Sequence, residues 1–175
     1  MKQLILGGAR SGKSALAERL ATESSSRVIY VATAALVEED LEMERRIRRH
    51  RERRPERWQL IEEPLNLAAT LRQHCTDGQL LLVDCLTLWL SNILLLDDGR
   101  HFQEQTEALL SVVPDLPGDL ILVSNEVGLG IVPLGEITRR FQDESGWLHQ
   151  RLAQLCDRVV FTVAGLPLIL KGEPL

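Results

Sequence analysis

Gly7-Gly8-Ala9-Arg10-Ser11-Gly12-Lys13-Ser14 (GGARSGKS, residues 7–14) satisfies the phosphate-loop pattern GxxxxGK[ST] in full. Residues 3–6 before it are apolar and read as a short buried strand. Residues 15–21 after it read as a helix with Leu16 and Leu20 on one face. Strand, glycine loop and helix in that order are the context the motif requires. Glycines let backbone N–H groups close around phosphate oxygens, and the helix N-terminus adds its partial positive charge. Lys13 is placed to reach the outer phosphates, and the Ser14 hydroxyl is a candidate ligand for Mg²⁺. A glycine turn that merely feeds a helix is the bland alternative, and the full match in its proper context disfavours it.

Outward from this loop, apolar runs at 28–32 (VIYVA), 80–83, 120–123 and 159–163 predict four further strands. The clearest amphipathic helix is 136–153, where Ile137, Phe141, Leu148 and Leu152 share a stripe. Continuous apolar strands separated by helical stretches predict an α/β fold, a mostly parallel sheet with helices on both faces. Residues 168–170, beyond Gly165 and Pro167, predict an antiparallel C-terminal edge strand. No repeat, low-complexity tract or linker divides the chain, so residues 1–175 read as one P-loop nucleotide-binding domain. Open parallel sheets bind ligands beyond the carboxyl ends of their strands. The loops after Leu6, Ala32, Val83 and Val123 are therefore where chemistry is expected.

Composition narrows the function classes. The chain has 175 residues, 45% hydrophobic and 26% charged, enough for one sizeable core. Twenty basic residues against 25 acidic ones give a net charge of −5, which disfavours a general nucleic-acid partner. The longest apolar run, around residues 80–96, is interrupted by Asp84, Thr87, Ser91 and Asn92, so no membrane insertion is expected. Cys75, Cys85 and Cys156 are odd in number and lack CxxC spacing. Neither a disulfide framework nor a zinc site is indicated, and with no export signal read at the N-terminus a cytoplasmic location is expected.

Asp84 ends the run LLLVD. An acid at the tip of a strand neighbouring the phosphate-loop strand is where a Mg²⁺ partner is expected, although the same carboxylate could cap the next helix. Residues 44–57 (ERRIRRHRERRPER) hold eight arginines and three glutamates. Placed on a helix, Met43, Ile47 and His50 share a face flanked by Arg46 and Arg51. A solvated helix with His50 half-buried is one reading, and a short RNA-binding patch is another, disfavoured because no aromatic interleaves the arginines. The third puts His50 in a pocket whose arginines grip a triphosphate, where an imidazole is a competent nucleophile at phosphorus. His74, His101 and His149 have no metal-ligand spacing and read as structural or exposed. Glu62-Glu63-Pro64 could supply a ribose or base contact, or simply end a polar strand. Asn125-Glu126, before Gly128-Leu129-Gly130, is well placed for substrate or base binding.

Taken together, GGARSGKS at 7–14, YVATA at 30–34, EMERRIRRHRERRPERWQLIEEP at 42–64, LLVDCLT at 81–87, SNEVGLGIVP at 124–133 and the segment 141–165 resemble the bifunctional adenosylcobinamide kinase / adenosylcobinamide-phosphate guanylyltransferase family of cobalamin biosynthesis. The resemblance covers nearly the whole chain. It implies a single RecA-like P-loop domain that phosphorylates the aminopropanol hydroxyl of adenosylcobinamide with ATP or GTP. It then implies that GTP guanylylates a histidine, which passes GMP to adenosylcobinamide phosphate. Carried over by position, residues 7–14 bind nucleotide phosphates, Ala32, Thr33 and Ala34 form a nucleotide-contacting turn, and His50 is the guanylylated histidine. Arg51, Glu52 and Arg53 follow it in the nucleotide site, and Glu62 and Asp84 complete the contacts. Lys13 and His50 are the catalytic pair, Ser14 and Asp84 the Mg²⁺ ligands, and a homotrimer is implied. Where some relatives carry adjacent histidines, this chain has Arg49-His50, and the connection 97–119 looks short. Rival readings are a single-function P-loop kinase and a non-enzymatic nucleotide switch or RNA module, the latter marked by a steep salt dependence.

Overall fold

A computed structural model describes residues 1–34, 54–96 and 100–175. Seven strands form one sheet: β1 (Lys2–Gly7), β2 (Arg27–Ala32), β3 (Gln59–Glu62), β4 (Gln79–Asp84), β5 (Asp119–Asn125), β6 (Arg158–Val163) and β7 (Leu166–Lys171). Their order is β3-β2-β4-β5-β1-β6-β7. All neighbours pair in parallel except β6 and β7, which are antiparallel. The expected mostly parallel sheet and antiparallel terminal strand are both present.

Period-two alternation along the strands divides the core in two. Leu4, Leu6, Ile29, Val31, Leu81, Val83, Leu120 and Leu122 pack with α2 (Leu67–His74), α3 (Leu86–Leu95), α4 (Arg100–Val112) and α5 (Glu136–Leu155). Ile5, Val28, Tyr30, Leu80, Leu82, Ile121, Val123 and Val160 face the other way and meet Leu16, Ala17 and Ala21 of α1 (Lys13–Glu23) and Trp58. Both faces are covered, which is why these strands read as unbroken apolar runs rather than as alternating ones.

The order corrects one expectation. Asp84 ends β4, and β4 is not next to the phosphate-loop strand: β5 lies between them. Sequence order does not reveal this, because insertion of β5 is settled by long-range burial of Leu120, Ile121, Leu122 and Val123, all fully buried. The expected helix 44–57 falls mostly outside the described residues, and its described end, 54–57, is turn rather than helix. The connection 97–119, short by count, still contains α4 and a 3₁₀ turn at Val113–Asp115.

β6 and β7 are joined by a two-residue turn, Ala164-Gly165, with φ of 51° and 80°. Positive φ at both positions is the type I′ signature that suits the twist of a hairpin. Lys171 of β7 then donates to the carbonyls of Ala153, Gln154 and Cys156 at 3.0, 3.0 and 2.6 Å. It thereby satisfies the otherwise unpaired C-terminal end of α5 and complements its dipole.

Candidate nucleotide-binding site

The phosphate loop joins β1 to α1 and is braced from both sides. The Glu126 N–H of the β5 tip donates to Gly7 O at 3.0 Å, and the Gly165 N–H of the hairpin turn donates to Ser11 O at 2.8 Å. Within the loop the Ser11 N–H reaches Gly8 O at 3.3 Å, and the Leu16 N–H closes the first helical turn on Gly12 O at 2.9 Å. Gly12 has φ +97°, and a Cβ there would lie 3.0 Å from Gly165 Cα. Both its conformation and its space require glycine. Arg10 also sits at positive φ, 57°.

Lys13 is buried, with Nζ donating to Gly8 O at 3.0 Å. Burial lowers its pKa, and the neighbouring Cys85 and Asp84 oppose that shift. The Ser11 hydroxyl is buried with no partner among the described residues. A buried unpaired hydroxyl costs free energy, and a phosphate oxygen in the loop would satisfy it. The loop therefore fits the phosphates it was expected to bind.

Asp84 and Lys13 interact electrostatically across the carboxyl edge of the sheet, on the α1 face. Tyr30 is buried, and burial followed by the Asp84 charge pushes its phenol far up and keeps it neutral. The Arg54 guanidinium lies over the Tyr30 ring, 4.2 Å from its centroid. Ser14 and Asp84 supply hard oxygen donors, the set that suits Mg²⁺ held partly by substrate phosphates. Among the described residues no cluster of three His, Cys, Asp or Glu could hold a metal unaided.

The remaining expected positions spread along the edge. Ala32 ends β2, and Thr33 and Ala34 follow it. Thr33 is fully buried, with Oγ1 donating to Cys85 O at 2.7 Å and accepting from the Cys85 N–H at 2.9 Å. Asn92 of α3 donates to Thr33 O at 2.8 Å and to Pro64 O at 3.1 Å. The turn is thus held by its own side chain and by Asn92, which sequence reasoning missed. Glu62 ends β3, the outermost strand, four strands and about 19 Å from β1, whereas Asp84 is two strands and about 10 Å away. The structure therefore groups the phosphate loop with Asp84 and places Glu62 at the far edge. Neighbouring Glu63 accepts from the Leu65 and Asn66 N–H groups at 2.9 and 2.7 Å and caps α2. His50, Arg51, Glu52 and Arg53 lie outside the described residues.

A polar cluster unanticipated from sequence lies behind the β5 tip. His149, expected to be structural or exposed, is buried, and its Nε2 is 2.8 Å from Ser124 Oγ. Ser124 Oγ is in turn 3.3 Å from Thr87 Oγ1, which accepts the Asn125 N–H at 2.7 Å. His149 Nδ1 has no hydrogen-bond partner among the described residues and stands 3.9 Å from Glu126 Oε2. Burial holds this imidazole below its ordinary 6.5, an effect the Glu126 charge opposes. The three cysteines are free thiols; burial raises all of them, Cys85 to about 11 and Cys156 to about 12. No described helix is long and apolar enough to cross a membrane.

A family model described as "Cobinamide kinase / cobinamide phosphate guanyltransferase" matches residues 3–170. The chain is 63% identical over the full length of both proteins to the bifunctional adenosylcobalamin biosynthesis protein CobP of Pseudomonas aeruginosa. It is 33% identical to the bifunctional adenosylcobalamin biosynthesis protein CobU of Escherichia coli, covering 98% of this chain and all of that one. Among solved structures, PH0250 from Pyrococcus horikoshii superposes with a TM-score of 0.56 at 11% identity, covering 99% of this chain and 87% of that one. That likeness speaks for the fold alone. The chain belongs to the cobinamide kinase / cobinamide phosphate guanyltransferase family and is a transferase.

Two outcomes follow from the site. Gly12→Ala introduces strain of about 1–3 kcal/mol at positive φ and pushes the loop from its brace. Titration calorimetry should show nucleotide affinity falling between about 5- and 150-fold; unchanged affinity would remove the brace from the account. His149 is lowered in the folded state, so the unfolded chain binds the extra proton as pH falls through 6.5. Stability is therefore lost on acidification in that range. Glu107, lowered by its bond to Arg151, contributes only nearer its own ordinary 4.5. Urea unfolding at about pH 7.5 and about pH 5.5 should show a smaller difference in His149→Gln than in the native chain.

Proposed function

We propose that this transferase phosphorylates the aminopropanol hydroxyl of adenosylcobinamide with ATP or GTP, and then transfers GMP from GTP through His50 to give adenosylcobinamide-GDP and pyrophosphate. The observation that carries the first half is the braced phosphate loop with Lys13 beside Asp84 at the carboxyl edge of the sheet. The loop N–H groups and Lys13 hold and orient the triphosphate so that its γ-phosphorus faces the acceptor hydroxyl. Bound Mg²⁺, held by Ser14 and Asp84, would neutralise charge on the β- and γ-oxygens.

The second half rests on the arginine-rich segment. It rejoins the described structure at Arg54, four residues beyond His50 in sequence, stacked on Tyr30 next to Asp84. A covalent histidine intermediate divides one nucleotidyl transfer into two displacements. Arg51 and Arg53 are assigned to the triphosphate and its pyrophosphate leaving group, Glu52 and Glu62 to nucleotide contacts, and Ala32, Thr33 and Ala34 to a nucleotide-contacting turn. A homotrimer is supported by apolar side chains left exposed on β7 (Leu166, Leu168, Leu170) and on the loop before α5 (Leu129, Ile131, Leu134). A cytoplasmic setting agrees with three free thiols.

Incubation with Mg²⁺ and GTP labelled at the α-phosphate tests the second half. Native protein is expected to take up label that is acid-labile and alkali-stable, as a phosphoramidate is, and His50→Ala to take up none. Native protein that binds GTP without taking label would reduce the activity to a single-function P-loop kinase.

A further inference from the structure

The kinase half needs a group to receive the proton of the attacking hydroxyl, and among the described residues the carboxylates at the edge of the sheet can be sorted by where they stand and what already holds them. Asp84 is the strand-tip acid that interacts electrostatically with Lys13 and is assigned to the cation. Glu63 is spent on the start of α2 and on the Thr70 hydroxyl. Glu62 is about 19 Å away across the sheet. Glu126 differs from all three. It follows β5, the strand next to β1, about 5 Å from the phosphate-loop strand. Its own N–H is bonded to Gly7 O, the first residue of the loop.

Its side chain is oriented from both ends. Oε1 accepts the Gly128 N–H at 2.6 Å, which leaves Oε2 as the free oxygen. Behind Oε2 stands buried His149. Were its Nε2 the protonated nitrogen, Nδ1 would turn a lone pair toward the Glu126 carboxylate, 3.9 Å away. The opposite tautomer avoids this: Ser124 O–H donates to Nε2, and Nδ1–H points at Glu126. Thr87 supports that direction, since its oxygen already accepts the Asn125 N–H and its hydroxyl proton is free for Ser124 Oγ. At 3.9 Å the Nδ1–Oε2 separation is beyond hydrogen-bond length. His149 therefore orients Oε2 without occupying it.

We propose that Glu126 is the general base of the kinase reaction and that His149, fixed by Ser124 and Thr87, is its positioning residue. This rests on the kinase reading above. The acceptor hydroxyl oxygen bonds to the γ-phosphorus as the bond from that phosphorus to the β,γ-bridging oxygen breaks. The electron pair leaves with the nucleoside diphosphate, and the hydroxyl proton passes to Glu126 Oε2 and then to solvent.

The test measures ATP-dependent phosphorylation of adenosylcobinamide by the whole chain. Glu126→Gln should lower kcat between about 10²- and 10⁴-fold, the range for loss of a general base, with KM for ATP within about threefold. Glu126→Ala should behave alike and regain turnover with added formate, a rescue that a purely structural role would not give. His149→Gln should lower kcat with the same unchanged KM. Native activity in Glu126→Gln, or a loss that excess Mg²⁺ restores, would overturn the assignment while leaving the kinase reading intact. Absence of phosphorylation by the native chain would overturn both.

Discussion

The site depends on the clasp that neighbouring strands put around the phosphate loop. An eight-residue, glycine-rich loop has no core of its own, and its N–H groups must stay directed at a ligand rather than fold back on the chain. Here two backbone bonds hold it, one from the β5 tip to Gly7 and one from the β6–β7 turn to Ser11. The antiparallel hairpin at the end of the chain thus acts as a buttress. Its turn runs through positive φ at Ala164 and Gly165, and Gly165 packs directly against Gly12. Pre-organisation of this kind means that binding a triphosphate does not have to order the loop first.

The same edge shows how buried polar groups are used when each has a partner. The Thr33 and Asn92 side chains tie the β2 turn to β4 and α3 through bonds to backbone groups of Cys85 and Thr33. Thr87, Ser124 and His149 form a second set, on the other side of Asp84, leading to Glu126. Both sets lie in low-dielectric surroundings, where satisfied polar contacts are rigid and unsatisfied ones are costly. Among the described residues at this edge three atoms break the pattern, the Ser11 and Thr162 hydroxyls and His149 Nδ1.

Sequence legibility followed locality. The phosphate loop, its strand and its helix were readable because eight consecutive residues carry the whole device. β7 was readable from Gly165 and Pro167. β3 was not, since Gln59–Glu62 is a short edge strand whose mostly exposed side chains show no apolar run. α3 was hidden for the opposite reason: LTLWLSNILL is apolar nearly all round, leaving no stripe to recognise. His149 gave no sign of its place, because its partner Ser124 is 25 residues away and only the packing of α5 on the sheet unites them. Asp84 was found as a strand-tip acid, but its distance from the loop depended on β5, whose insertion no local pattern announces.

On the proposed reading one small sheet edge serves two transfers, with the phosphate loop at its centre and the described structure resuming at Arg54 on Tyr30. Family membership places the chain among the cobinamide kinase / cobinamide phosphate guanyltransferases, and the proposal is that it adds first a phosphate and then a nucleotide to one acceptor. The most direct measurement is mass spectrometry of adenosylcobinamide incubated with the native chain and Mg²⁺, first with ATP alone and then with GTP added. The account predicts conversion to the phosphate in the first stage and to the GDP-linked corrinoid in the second. Adenosylcobinamide left unchanged through both stages would contradict it.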